Sequence, residues 1–103
     1  MDQIRQGDVY LQRVPSIPAD AQPVARDGNR IVLAYGEVTG HAHAIAEPHV
    51  TLLEAGAGIR YLSVEADASL RHEEHETIPL APGNYLVIRQ REYSPEAIRN
   101  VAD

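Results

Sequence analysis

The 103-residue chain contains no cysteine, lysine, phenylalanine or tryptophan. The absence of cysteine excludes thiolate zinc sites, disulfide frameworks and cysteine nucleophiles, and it leaves histidine and carboxylate groups as the good metal ligands. Because Phe and Trp are absent, the core must be built from Val, Ile, Leu and Ala. Tyr35, Tyr61 and Tyr85 are candidates for its edge, since tyrosine can bury its ring while its hydroxyl finds a partner.

Long apolar runs are also missing, and none approaches the ~20 residues that a membrane helix needs. The segment Met1–Arg5 lacks the basic and apolar regions of a signal peptide. We therefore expect no membrane partner and a cytoplasmic location. The formal net charge is −6 and the nine arginines are scattered. Because nucleic-acid binding depends on clustered cations that neutralise phosphates, we also expect no nucleic-acid partner.

Short runs of β-forming residues, separated by proline and glycine, predict one mainly β domain over residues 1–103. Their spacing favours a small antiparallel barrel or sandwich of about six to eight strands. Ser94-Pro95-Glu96 is typical of a helix start and predicts a short C-terminal helix through Val101. The clearest predicted strands are 9–14, 30–38, 40–47, 50–54, 59–66 and 85–91.

The most concentrated chemistry is a set of histidines, beginning with His41 and His43. On a strand, this spacing projects both imidazoles to one side about 6.5 to 7 Å apart, close enough to converge on one ion. The same alternation puts Glu47 on that face. Imidazoles with a carboxylate match the preferences of Zn, Fe, Mn or Ni, so we predict a divalent metal site.

A second pair, His72 and His75, supplies further candidate ligands. If residues 70–76 form a strand, these two side chains point to opposite faces and at most one of them can join His41 and His43. If the segment forms a helical turn, their spacing puts both on one side. The alternative to a metal site is that these histidines are exposed within a solvated acidic face formed by Glu73, Glu74 and Glu76.

The pattern Gly36-x4-His41-x-His43-x3-Glu47, set between β segments, resembles the first metal-binding motif of the cupins. Pro82-Gly83 before a strand is similar to the glycine turn of their second motif. The resemblance implies a small antiparallel barrel in which His41, His43 and Glu47 are metal ligands. This chain departs from the family after that turn, where Asn84-Tyr85-Leu86-Val87 replaces the last histidine, so His72 or His75 would have to substitute for it.

The last predicted strand offers another candidate site. Arg89 and Arg91 lie on one face of this strand and Leu86 and Ile88 lie on the other. We therefore expect Leu86 and Ile88 in the core and the arginines in water. The alternative is that Arg89, Arg91 and Tyr93 bind a small-molecule ligand with a carboxylate or phosphate group, because a guanidinium group offers a planar bidentate fork.

Two functional hypotheses follow from these patterns. The first is a small metalloenzyme in which His41, His43 and one of His72 or His75 hold the metal and Glu47 is a fourth ligand or general base. An open coordination position would then polarise a bound oxygen or activate water. The alternative is a non-catalytic adaptor or homo-oligomeric module whose metal is structural or absent. The sequence names no reaction and no substrate.

Overall fold

A computed structural model describes residues 3–35 and 41–89 of the chain. Its ten strands are β1 (Gln3–Gln6), β2 (Val9–Val14), β3 (Gln22–Pro23), β4 (Ile31–Tyr35), β5 (Ala42–Ile45), β6 (Val50–Glu54), β7 (Arg60–Val64), β8 (Ala68–Leu70), β9 (Ile78–Leu80) and β10 (Gly83–Arg89). Six strands form one sheet in the order β1-β2-β10-β7-β6-β3, and β4-β5 and β8-β9 form two-stranded ladders. All pairings are antiparallel, which confirms the predicted β-rich, antiparallel architecture.

The prediction left a barrel or a sandwich open, and the barrel is wrong for the described part of the chain. β1 and β3 lie at opposite ends of the six-stranded sheet and do not pair with each other, so the sheet stays open. β3 has only two residues, and its proline has no N–H to donate to a further strand. There are also more strands than predicted, because β1, β3, β8 and β9 are too short to show a clear pattern. The predicted C-terminal helix over 94–101 lies outside the described residues.

The described segments contain no helix with the length and apolarity needed to cross a bilayer.

One cluster of buried side chains joins the six-stranded sheet to both ladders. Leu11 and Leu62 of the large sheet, Ile45 of β5 and Leu70 of β8 are all 0% exposed. Full burial of such a side chain stabilises the fold by about 1.5–3 kcal/mol relative to leaving it exposed. The two ladders therefore fold onto the sheet and share its core.

The face of strand β10 that packs against the core is the opposite of the one predicted. Tyr85 and Val87 are 1% and 8% exposed, whereas Ile88 is 36% exposed. The Tyr85 hydroxyl group accepts a hydrogen bond of 3.0 Å from Arg13. Because its polar tip is satisfied, the large ring can fill the core in place of the aliphatic residues of the other parity.

Residues 67–77 form neither a continuous strand nor a helical turn. β8 ends at Leu70, and Arg71 then forms an isolated bridge with Ala44 of β5. Both backbone N–H groups of this bridge donate across it, each at 2.9 Å. The chain bends at residues 73–75 before β9 begins. The bridge therefore joins the two ladders next to His43 of β5 and next to His72, which follows Arg71.

Because the ladders share the core of the sheet, Leu70→Ala should destabilise the whole domain as much as Leu62→Ala does. Each substitution is expected to cost about 2–5 kcal/mol of unfolding free energy with one cooperative transition. Urea unfolding followed by circular dichroism measures both quantities. A separate transition in Leu70→Ala, or a cost under about 1 kcal/mol there, would show that β8-β9 is not part of the same core.

Candidate metal centre

The bridge between Ala44 and Arg71 sets the register of the two histidine segments. Antiparallel pairing of these two residues places His43 opposite His72. Because Ala44 and Arg71 exchange both of their hydrogen bonds, the neighbouring pair is of the non-hydrogen-bonded kind, in which side chains approach most closely. The centroids of the His43 and His72 rings are accordingly 4.3 Å apart.

The remaining two predicted histidines join the same cluster. The His41 ring lies 5.7 Å from that of His72, on the side towards the start of β5. The bend at 73–75 turns the chain back, so that the His75 ring lies 4.5 Å from His72 and 5.8 Å from His43. The two pairs, whose contact no sequence pattern could establish, therefore meet in space.

Within this cluster, His41, His72 and Glu73 offer ligand atoms that all lie within 4.8 Å of one another. Glu73 was absent from the predicted ligands. Its carboxylate accepts a hydrogen bond of 3.0 Å from the backbone N–H of Ala42, and this bond lowers the pKa of the Glu73 carboxyl. The group is therefore ionised at neutral pH, as a metal ligand must be.

The tautomer of His43 is fixed by Gln6, a buried residue that the sequence patterns did not single out. The side-chain amide of Gln6 donates to the carbonyls of Leu70 and Glu76, at 3.0 and 2.8 Å. Its oxygen is thereby identified as the acceptor of the remaining 2.9 Å bond to His43 Nδ1. Because Nδ1 carries the proton, Nε2 of the neutral ring has a free lone pair.

Nε2 of His43 faces a carboxylate and lies 3.3 Å from Oδ1 of Asp8. Burial raises the pKa of the Asp8 carboxyl, but the hydrogen bond and positive charge of Arg89 outweigh this effect and the net pKa is lowered. Burial, and then the charge of His72, lower the pKa of His43 against the opposing effect of Asp8. A lone pair and an ionised carboxylate thus face each other, an arrangement that attracts a cation.

The neutral ring of His72 is the opposite tautomer to that of His43. Its Nδ1 accepts a hydrogen bond of 3.0 Å from the backbone N–H of Glu74, so the proton of the neutral ring is on Nε2. Burial, and then the charge of His75, lower its pKa and favour that neutral form. Because the only lone pair of the ring is occupied, a metal bound to His72 must displace the Glu74 amide, at a cost of about 1 kcal/mol.

Comparison with known proteins assigns the chain to a family. Residues 5–90 match the family described as "Domain of unknown function (DUF8820)". The chain belongs to this family. The whole histidine cluster lies within the part that matches DUF8820. No curated protein and no solved structure matches the chain. The likeness of residues 36–47 to the cupin motif stays a prediction.

The loop between β1 and β2, also within the DUF8820 match, closes over the histidines. Gln6 pairs with Val9, so the loop has only two residues, Gly7 and Asp8, and Gly7 has φ +60°. This is the geometry that favours glycine at the first position of a two-residue hairpin loop. A Cβ at Gly7 would lie 2.8 Å from Nε2 of His75, so a larger residue would push against the cluster. The hairpin was not predicted, although a Gly-Asp pair between two β-forming runs is a sequence signal for one.

Neither Glu47 nor Arg89 belongs to the group of His41, His72 and Glu73. β5 ends at Ile45, so the alternation expected to carry Glu47 onto the histidine face stops before reaching it. Glu47 instead lines a separate depression with Asp67, and its Oε1 is buried without a hydrogen-bond partner among the described residues. Arg89 donates to Asp8 and to the Tyr35 carbonyl. Arg91 and Tyr93 lie outside the described residues.

The role assigned to Gln6 can be tested directly by nitrogen-15 NMR of the imidazole rings. In metal-free protein at pH 7.5, His43 is expected to carry its proton on Nδ1. In Gln6→Leu, the proton should move to Nε2, where it can donate to Asp8. Gln12→Leu, at an exposed position of β2, is the matched control and should leave the tautomer unchanged. A wild-type proton on Nε2 would contradict the assignment.

Stability should depend on pH below neutrality. The folded-state pKa values of His43 and His72 are lowered from 6.5, so the unfolded chain binds more protons as the pH falls below about 6.5. Stability therefore decreases through this window as the pH falls. The measurement is the urea unfolding free energy of chelator-treated protein between pH 7.5 and 5.

The variants His43→Asn and His49→Asn separate the cluster from the other histidine. His49 lies outside the cluster, with its ring bonded to the Asp67 carbonyl at 2.9 Å. We expect a shallower pH slope in His43→Asn and the wild-type slope in His49→Asn. Equal slopes in all three proteins would show that the cluster does not control the acid response.

Proposed function

We propose that the chain binds one divalent transition metal ion through His41, His72 and Glu73. The observation that carries the proposal is the convergence of their ligand atoms within 4.8 Å. Nitrogen and oxygen ligands about 2.0–2.2 Å from one ion lie roughly 3–4 Å from one another. Side-chain shifts of roughly 1 Å, together with release of the Glu74 amide, would bring these atoms into coordination.

The donor set indicates which ions fit. Two imidazoles with one carboxylate match the ligands of catalytic zinc sites and of iron(II) sites with open positions. Zn, Fe, Mn and Ni all accept these ligands, whereas Ca and Mg prefer oxygen alone. Three protein ligands leave at least one position open for water or a small molecule.

The neighbouring pair of His43 and Asp8 adds features that suit a cation beside this group. Metal-bound histidines generally donate their second ring N–H to a carbonyl or carboxylate oxygen, which fixes the tautomer. The bond from His43 Nδ1 to Gln6 has this form, and it leaves Nε2 free without any rearrangement. The His43 ring lies 4.3 Å from the His72 ring, and Asp8 adds negative charge next to its free nitrogen.

The open position is what would make such a site catalytic. An ion held by His41, His72 and Glu73 would polarise an oxygen of a bound small molecule or lower the pKa of a bound water. If His43 or His75 completed a four-ligand shell instead, the metal would be structural. The coordination number thus separates a metalloenzyme from the non-catalytic module.

Metal binding is tested on protein purified without a histidine tag. We expect near-stoichiometric Zn by elemental analysis after equilibration, with one site by titration calorimetry. The double variant His41→Ala/His72→Ala should bind at least about 100-fold more weakly, since even second-shell changes around a metal cost 10–100-fold. Glu73→Gln should weaken binding while keeping the hydrogen bond to Ala42.

His49→Ala is the matched control, because it removes an imidazole from outside the cluster. It should bind Zn as the wild type does. The proposal fails if the wild type binds no Zn, Mn, Fe or Ni, or if His41→Ala/His72→Ala binds as tightly as His49→Ala does.

A further inference from the structure

We propose that a depression beside the metal ligands binds the oxyanion group of a small molecule, a carboxylate or a phosphate, through Arg30 and Arg71. The depression has a volume of about 350 Å³, and its lining includes both arginines, Thr77, His72 and Glu73. This volume suits a small molecule, since ligand pockets commonly span ~300–1,000 Å³. Two residues of the proposed metal group thus also line this depression.

The two arginines differ from every other arginine of ranges 3–35 and 41–89. Within those ranges, neither guanidinium group has a hydrogen bond or an ion pair to protein. The remaining described arginines donate to carbonyl, carboxylate or hydroxyl oxygens, and these are Arg5, Arg13, Arg26, Arg60 and Arg89. Arg30 and Arg71 therefore leave their bidentate donors available, and such forks match carboxylate and phosphate geometry.

The rest of the lining suits an organic anion. Ala42 and Ala44 of β5 and the following Ala46 also line it, so the lining combines small apolar residues with the two arginines. A carbon skeleton could contact these methyl groups while its acid group engages the arginines.

Glu73 introduces an opposing charge that makes anion binding sensitive to metal. Its ionised carboxylate lines the same depression and repels an anion when no metal is bound. A divalent ion on Glu73 would reverse that effect and offer its open position to a second oxygen of the ligand. This coupling rests on the proposed metal site, whereas anion binding by the arginines does not.

The test uses metal-free, nitrogen-15-labelled protein titrated separately with succinate and with inorganic phosphate at constant ionic strength. We expect saturable shifts of the backbone amides of Ala44, Ala46, Arg71 and Thr77 with at least one probe. Arg30→Gln and Arg71→Gln should each weaken binding about tenfold, because a charged hydrogen bond is lost. Arg13→Gln removes the same charge outside the depression and should bind as the wild type does.

The two probes identify the oxyanion, since binding of succinate alone indicates a carboxylate and binding of phosphate alone a phosphate. The proposal is overturned if neither probe gives saturable shifts, or if a folded Arg30→Gln/Arg71→Gln protein binds as tightly as Arg13→Gln. Repeating the succinate titration on Zn-equilibrated protein tests the coupling, with tighter binding expected. Binding in metal-free protein that Zn does not strengthen would retain the anion site and reject its link to a metal.

Discussion

The pair of backbone hydrogen bonds between Ala44 and Arg71 determines most of what is distinctive in this molecule. These two bonds join the segment that holds His41 and His43 to the segment that holds His72 and His75, which otherwise adjoin two separate ladders, β4-β5 and β8-β9. The bridge places His43 opposite His72 and leaves a close, non-hydrogen-bonded pair at that position. A register shift of one residue would turn one set of rings to the other face and disperse the cluster.

A second constraint comes from the β1–β2 hairpin, whose residues contact both ring nitrogens of His43. Gln6 fixes the proton on Nδ1 and joins the ring to carbonyls near His72, while Asp8 lies against Nε2. Arg89 keeps Asp8 ionised from the end of β10. Several distant parts of the chain therefore meet around one imidazole, and their electrostatic effects favour a neutral ring facing a negative charge. This is the state in which an imidazole binds metal.

The fold could be predicted from the sequence where local patterns were strong. The bounds of β2 and β6 agree with the predicted strands 9–14 and 50–54, because these runs of β-formers end at proline or glycine-rich turns. The parity of β10 was predicted wrongly. The prediction assumed that the face of β10 that contains arginine points to solvent along the whole strand. Arg89 instead lies at the end of the strand, where it pairs with Asp8. Tyr85 and Val87, which share its parity, are buried in the core.

The histidines were found from the sequence, but the rest of the candidate site was not. Gln6 and Asp8 act on His43 across long sequence separations, which no local spacing records. Glu73 could be taken only as part of an acidic face, because its role depends on the bend that follows His72. Glu47 was predicted from an alternation that requires β5 to continue, and β5 ends at Ile45. Each of these outcomes depends on where strands end and which strands meet.

The measurement that tests the central idea most directly is X-ray absorption spectroscopy at the zinc edge of protein loaded with one equivalent of Zn. Convergence of the two histidine segments on one ion predicts nitrogen and oxygen neighbours at about 2.0–2.1 Å, with the outer-shell scattering of at least two imidazoles. His72→Ala should lose the scattering of one imidazole, whereas His49→Ala should lose none. A wild-type spectrum without imidazole scattering, or one that His72→Ala leaves unchanged, would contradict the account.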